Sequence, residues 1–339
     1  FIDTSGDNQL IDIVSAIKAK LIKNKEKKVK YAKDNGTYGT AGWQSVAEVE
    51  SNTDFFNVNT NKGILLGFLR DTEKILTVPS NSFFNRNVAV YVSSGSMKSR
   101  SFVIPNVLNC ILNEESLFVT DPKGELLRMT YHILKEHGYN VRALNFNNPE
   151  CSDRWNILSE VTDDMSAITF AKAIISGSAG KKSDPFWDPG QENLLKALAL
   201  YVVTELPKEN RNMGSLYKLL TKKDAAKNLA IKFKVLPEYH VAVAPYNVFL
   251  ESSDNEKVRA GMISGLATKL QIFQAEKFRR LTEVNEINLE LPGRRKCAYF
   301  VVLPDSHASF DFMSSILFTC AFTKLMAAAD TVGGTMNKQ

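Results

Sequence analysis

The sequence predicts an α/β fold in which a mostly parallel sheet is interrupted by an inserted all-α domain. Three observations predict it. Short apolar runs rich in β-branched and aromatic residues alternate with helical stretches from Ile64 to Phe146. From about Thr162 to Arg280 only helical periodicity is found. An apolar run, Ala298 to Leu303, then returns ahead of a last helical stretch. Alternating strands and helices signal a parallel sheet, and a purely helical block within them signals an insertion.

At 339 residues the chain is long enough to bury two cores. Hydrophobic residues make up 44% and charged residues 23%, with a formal charge of +5, an ordinary globular composition whose charge alone identifies no nucleic-acid partner. No apolar run is expected to approach the roughly 20 residues that span a bilayer. Phe1-Ile2-Asp3 opens on polar sequence without a basic-then-apolar leader, so the chain itself reads as soluble. Cys110, Cys151, Cys297 and Cys320 form no C-x-x-C pair and read as reduced core thiols, which argues against a disulfide framework or a zinc ribbon.

Four regions follow from these patterns: 1–60, basic; 61–161, the first part of the α/β domain; 162–285, the all-α insertion; and 286–339, the second part of the α/β domain. Between Lys18 and Lys33 eight lysines stand against Glu26, which suits either a solvated helix face or a segment held near anionic lipid. Ile64 to Leu66 and Ile75 to Val78 read as small paired strands with glycines and Pro79 as punctuation. Val88 to Val92 reads as a strand, Lys98 to Asn113 as a helix, Leu117 to Thr120 and Tyr139 to Phe146 as further strands. Strands 88–92, 117–120 and 298–303 are expected to be neighbours in one sheet. In the insertion, helices are expected over Gln191 to Thr204, Leu216 to Leu220, Ala225 to Phe233, Asn255 to Phe273 and Ala275 to Leu281.

The turn after Val92 carries the chemistry. Ser93 to Ser99 reads S-S-G-S-M-K-S, placing a lysine and a hydroxyl at the start of a helix and at the carboxyl end of a strand, where open α/β sheets bind ligands. The phosphate-loop pattern G-x-x-x-x-G-K-[ST] asks for glycine at 92 and 97, and this chain has Val92 and Met97. Gly95, Ser96, Met97, Lys98, Ser99 and Arg100 are therefore the candidate nucleotide-binding residues, with Lys98 for the phosphates and Ser99 for a magnesium ion. Asp121, one strand later, reads as a helix-capping or loop-organising residue near the nucleotide rather than the metal ligand, with Lys123 and Glu125 beside it. Asp305, at the carboxyl end of a later strand, reads as near the nucleotide or its magnesium, and His307 reads as solvated.

The motifs G-S-M-K-S-R-S-F-V-I-P-N, D-P-K-G-E, R-W-N-I-L-S, S-D-P-F-W and V-V-L-P-D-S-H-A-S-F-D-F occur in that order from Gly95 to Phe312. Together with Tyr38-Gly39-Thr40-Ala41-Gly42-Trp43 they resemble the TraG/VirD4 family of conjugative coupling proteins, over about Tyr38 to Asp330. The resemblance implies a RecA-like P-loop NTPase fold, ATP and Mg2+ as cofactors, relaxase-bound single-stranded DNA as substrate, and type IV secretion channel proteins as partners. It further implies a ring-forming homo-oligomer at the cytoplasmic face of the bacterial cell membrane, with an anchor that lies upstream of Phe1 or has been removed. An apolar strand ending in Asp-Glu, which orients magnesium and water, is expected after the last helix and does not occur before Gln339: either the sequence stops short of it or the polypeptide lacks that carboxylate.

Two functions stay open: an ATP-driven subunit handing DNA or protein cargo to the channel, and a receptor or scaffold of the same fold that does not hydrolyse ATP. Val92, Met97 and the absent acidic strand favour the second. An unrelated phosphate-loop enzyme, such as a small-molecule kinase, is a weaker fit to an insertion of this size. For DNA or cargo the insertion offers Lys181, Lys182, Lys222, Lys223 and Lys227.

Overall fold

The computed structural model describes residues 42, 44–53, 56–58, 60–69, 73–80, 82, 85–93, 95–178, 187–252, 255–303 and 311–331. The lysine-rich stretch before Lys33, residues 38–41 and Trp43 lie outside them. The chain forms two compact units, Phe1–Ser51 and Asn52–Gln339. In the first, helix α1 (Val46–Ser51) begins at a capping box. Glu48 Oε2 accepts the Ser45 N–H at 2.7 Å, and Ser45 Oγ accepts the Glu48 N–H at 3.3 Å. The bonds from Ser45 hold the Glu48 carboxyl below its ordinary range.

The second unit opens with a three-stranded antiparallel sheet of β1 (Asn57–Val58), β2 (Ile64–Phe68) and β3 (Ile75–Val78), in the order β1-β3-β2. The expected pairing of β2 with β3 is present, with Ile64 opposite Val78 and Phe68 opposite Ile75. Gly63, at φ +121°, has no alternative: a Cβ there would lie 1.9 Å from the Val78 carbonyl oxygen.

A π-helical turn, Ser99–Val103, leads into helix α2 (Ile104–Leu112), with Pro105 near its start where a missing N–H costs little. Asn106, Asn109 and Asn113, spaced i, i+3, i+7, share one side of this helix and meet the edge of β2. Asn106 accepts the Leu65 N–H at 2.8 Å and donates to the Leu65 carbonyl at 2.9 Å. Asn109 donates to Gly63 O at 2.7 Å and Asn113 to Asn61 O at 2.8 Å. Side-chain amides thus satisfy a strand edge in the way a further strand would.

The main sheet is parallel, in the order β4 (Leu117–Thr120), β6 (Cys297–Val302), β5 (Asn140–Asn145), with helix α3 (Glu125–Glu136) crossing from β4 to β5. Thr120 and Leu144 both pair with Val301. All six residues of β6 are buried, because a central parallel strand is covered on both faces. Ala298 and Phe300 pack on one face with Val107, Ile111, Leu126 and Leu134. Cys297, Tyr299 and Val301 pack on the other, in a cluster continuous with the insertion.

The insertion comprises α4 (Asp164–Ser178), α5 (Asp188–Glu205), α6 (Met213–Thr221), α7 (Ala225–Lys234), α8 (Val243–Glu251), α9 (Glu256–Lys269) and α10 (Glu276–Leu281). Helix α8 is absent from the sequence expectation, and the helix expected from Asn255 to Phe273 ends at Lys269 before a 3-10 turn. The last helix, α11 (Asp311–Thr331), closes on α4, where a Cβ at Gly177 would lie 2.6 Å from Phe312 Cβ.

Three expectations are corrected. Val88–Val92 forms no strand: it is exposed and outside both sheets, with Tyr91 92% exposed. Its composition favours β structure, but a strand exists only where an edge pairs with it, and pairing outweighs intrinsic preference. Second, Phe312–Thr331 is long and apolar enough to span a bilayer, with a mean hydropathy of 1.5. In this structure its Phe312, Met313, Ile316, Leu317 and Ala321 are buried in the core. Third, Cys151 is exposed rather than in a core, whereas Cys297 is buried. Burial pushes the thiols of Cys297 and Cys320 up, the latter to about 12.

Candidate phosphate-binding turn and the neck of the insertion

Gly95 at φ +81° and Met97 at φ +59° give the turn its shape. The left-handed region costs a non-glycine residue about 1 kcal/mol, so Met97 occupies, with strain, the backbone conformation that a glycine would adopt freely. The backbone of Lys98 is already helical. Its ammonium bends back across the turn and donates to the Ser93 carbonyl at 3.3 Å. The first intrahelical bond is Ser101 N–H to Met97 O at 2.9 Å, reinforced by Ser101 Oγ at 3.0 Å. The amides of Lys98, Ser99 and Arg100 precede that bond, as the first N–H groups of a helix do.

The turn is open: Gly95, Ser96, Met97, Lys98 and Arg100 are exposed and Ser99 is partly so. A lysine at a helix start suits a phosphate group. The methionine side chain does not belong to that fit, and Ser96 N–H is engaged with Ser93 O at 3.4 Å.

Asp121 has the capping geometry expected from the sequence. It is 3% exposed, and its Oδ2 accepts the Leu127 N–H at 2.9 Å in the first turn of α3. Gly124, at φ +66°, turns the chain into that helix. Lys123 and Glu125 are exposed at the same sheet end. No hydrogen bond or ion pair among the described residues joins these three to residues 95–100. Asp305, His307, Lys181 and Lys182 lie outside the described residues, while Lys222, Lys223 and Lys227 are exposed on the insertion.

The R-W-N-I-L-S motif forms the neck where the insertion leaves the sheet. Trp155 is fully buried and its indole N–H donates to Glu160 Oε1 at 3.1 Å. Glu160 Oε2 pairs with Lys324 of α11 at 2.7 Å. Asn156 accepts the Leu158 N–H and donates to the Arg211 carbonyl at 2.6 Å. Arg154 binds Glu286, on the returning segment of the neck, through its guanidinium at 2.7 Å and its N–H at 2.8 Å. Those bonds from Arg154 hold the Glu286 carboxyl below the usual carboxylate range. Arg154 stands in a motif readable from the sequence, whereas Glu286 carries no such signal and lies among other acids at the far end of the insertion.

A parallel sheet interrupted by an all-α insertion defines an α/β protein with a helical inserted domain. More particularly, the chain belongs to the type IV secretory system conjugative DNA transfer family, whose pattern matches residues 19–334. It is similar to the solved bacterial conjugative coupling protein TrwBdeltaN70 in an unbound form, at 15% identity and a TM-score of 0.45, covering 69% of this chain and 50% of that one. It is also similar to the plasmid coupling protein TrwB in complex with ADP and Mg2+, at 14% identity and a TM-score of 0.44, covering 69% and 51%. The chain spans about half the length of these coupling proteins. No curated protein matches the sequence.

Proposed function

We propose that this chain acts as the coupling component of a conjugative type IV secretion system, recruiting relaxase-bound single-stranded DNA or protein cargo and passing it to the membrane channel. The observation that carries the reading is the family match over residues 19–334 on a chain that keeps Lys98 at the start of a helix. In this reading Lys98 neutralises the phosphates of ATP, the first-turn amides orient them, and Ser99 offers its hydroxyl to Mg2+. ATP, when bound, supplies the free energy of phosphoanhydride hydrolysis. Ring assembly at the cytoplasmic face of the membrane belongs to the same proposal.

A second reading, a receptor of the same fold without turnover, is favoured by the left-handed Met97 and by the exposed Val88–Val92 segment that precedes it. DNA transfer from donor cells separates the two. Transfer should fall to background when the gene is deleted. Complementation by Lys98→Ala restores transfer under the receptor reading and fails under the ATP-driven one. Unchanged transfer in the deletion strain would contradict both.

A further inference from the structure

Helix α7 is pinned from within. Leu229 and Phe233 are buried, and Phe233 stacks on Tyr246 of α8 with ring centroids 3.9 Å and planes 8° apart. Lys232 reaches across to the Tyr201 hydroxyl at 3.4 Å. The opposite side carries Lys227, Ile231 and Val235 at four-residue spacing, which places them in one row. Ala230 and Lys234 flank the row, Lys223 stands in the turn just before the helix, and all six residues are exposed.

Two features of this row are unexplained by the fold. Ile231 in the helix is 65% exposed and Val235 at its C-cap 79%, so neither gains from burial what would offset the rotamer freedom a β-branched side chain loses there. From Lys222 to Lys234 there are five lysines and one acid, Asp224. Lys222, Lys223, Lys227 and Lys234 join no ion pair among the described residues.

We infer that the outward face of α7 is a docking surface for an acidic amphipathic helix of a partner protein. The partner's aliphatic side chains lie along Ile231 and Val235, and its carboxylates meet Lys223, Lys227 and Lys234. Charge complementarity selects an acidic partner. The aliphatic pair at helical spacing selects a protein helix over nucleic acid, because phosphates use only the lysines and bases stack on aromatic planes. The inference rests on the cargo reading for the partner's place in the cell, but not for its chemistry.

The test is fluorescence anisotropy with the whole chain and three labelled probes. One is a helical peptide of about 18 residues with leucines at i, i+4 flanked by glutamates, long enough to hold helical structure. The others are its lysine-for-glutamate twin and a mixed-sequence single-stranded oligonucleotide. The acidic peptide should bind saturably and the basic twin should not. Ile231→Glu or Val235→Glu should weaken the acidic peptide about tenfold. Lys227→Glu should weaken it at low salt, with the difference shrinking as salt rises. The substituted side chains are exposed, and matching thermal melts confirm that each variant folds.

No binding of the acidic peptide, or equal binding by Ile231→Glu, would overturn the inference. So would oligonucleotide binding that Lys227→Glu weakens and Ile231→Glu does not. None of these readouts uses nucleotide or DNA transfer, so they can fail while the donor-cell assay succeeds.

Discussion

Arg154 and Glu286 stand 132 residues apart and close the neck of the insertion between them. Glu286 accepts the Arg154 N–H at 2.8 Å and its guanidinium at 2.7 Å, and the Glu286 N–H donates to the Arg154 carbonyl at 2.8 Å. Two of these three bonds use the Glu286 carboxylate and only one uses the arginine side chain. Both side chains are partly solvated, so the pair contributes modestly. Glu286→Ala should cost about 1 kcal/mol and Arg154→Ala less than about 0.5 kcal/mol. Urea midpoints of the two variants check the asymmetry, and equal losses would show that the ion pair alone matters.

Acid should open the same neck. Bonds from Arg154 lower the Glu286 pKa in the folded chain. Its contribution is therefore fully present above the unfolded glutamate value of about 4.3 and is lost as pH falls through the lower folded value. The stability difference between the unmodified chain and Glu286→Gln should be constant near neutral pH and vanish well below pH 4. A difference that grows on acidification would contradict the assignment.

The antiparallel sheet depends on contacts made by single side chains or by their absence. Gly63→Ala would put a Cβ 1.9 Å from Val78 O at φ +121°, and should destabilise the chain by about 2–4 kcal/mol. Asn106→Leu keeps the volume but leaves the Leu65 N–H and carbonyl without partners, for a loss of about 2 kcal/mol. Thermal melts measure both, and Asn106→Leu within experimental error of the unmodified chain would show that water replaces the amide.

Much of this fold is legible in the sequence, for physical reasons. Leu117–Thr120 and the all-apolar Cys297–Val302 read as strands because a parallel sheet buries them, and the helical block reads as an insertion because strand-like runs are missing from it. Asp121 reads as a cap because it precedes a Pro-x-Gly turn and a helix. Val88–Val92 misleads because composition reports β preference and not the presence of a pairing edge. Glu286 is invisible because one acid among Glu283, Glu286 and Glu290 carries no local mark of a partner 132 residues away. The asparagines at 106, 109 and 113 were readable in principle, since amides at i, i+3, i+7 on an otherwise apolar helix need acceptors and donors nearby.

The candidate phosphate site rests on Lys98 and Ser99, which the sequence places at a helix start, and the structure adds what Met97 does. Its backbone already has the conformation of the expected glycine, so the remaining obstacle to phosphate is its side chain.

Calorimetry of ATP with Mg2+ titrated into the whole chain tests this most directly. Weak binding, with a Kd of about 1 mM or above, is expected for the unmodified chain, about tenfold tighter binding for Met97→Gly, and none for Lys98→Ala. Binding of ATP by the unmodified chain with a Kd of about 1 μM, or a Lys98→Ala variant that binds as well as the parent, would contradict it.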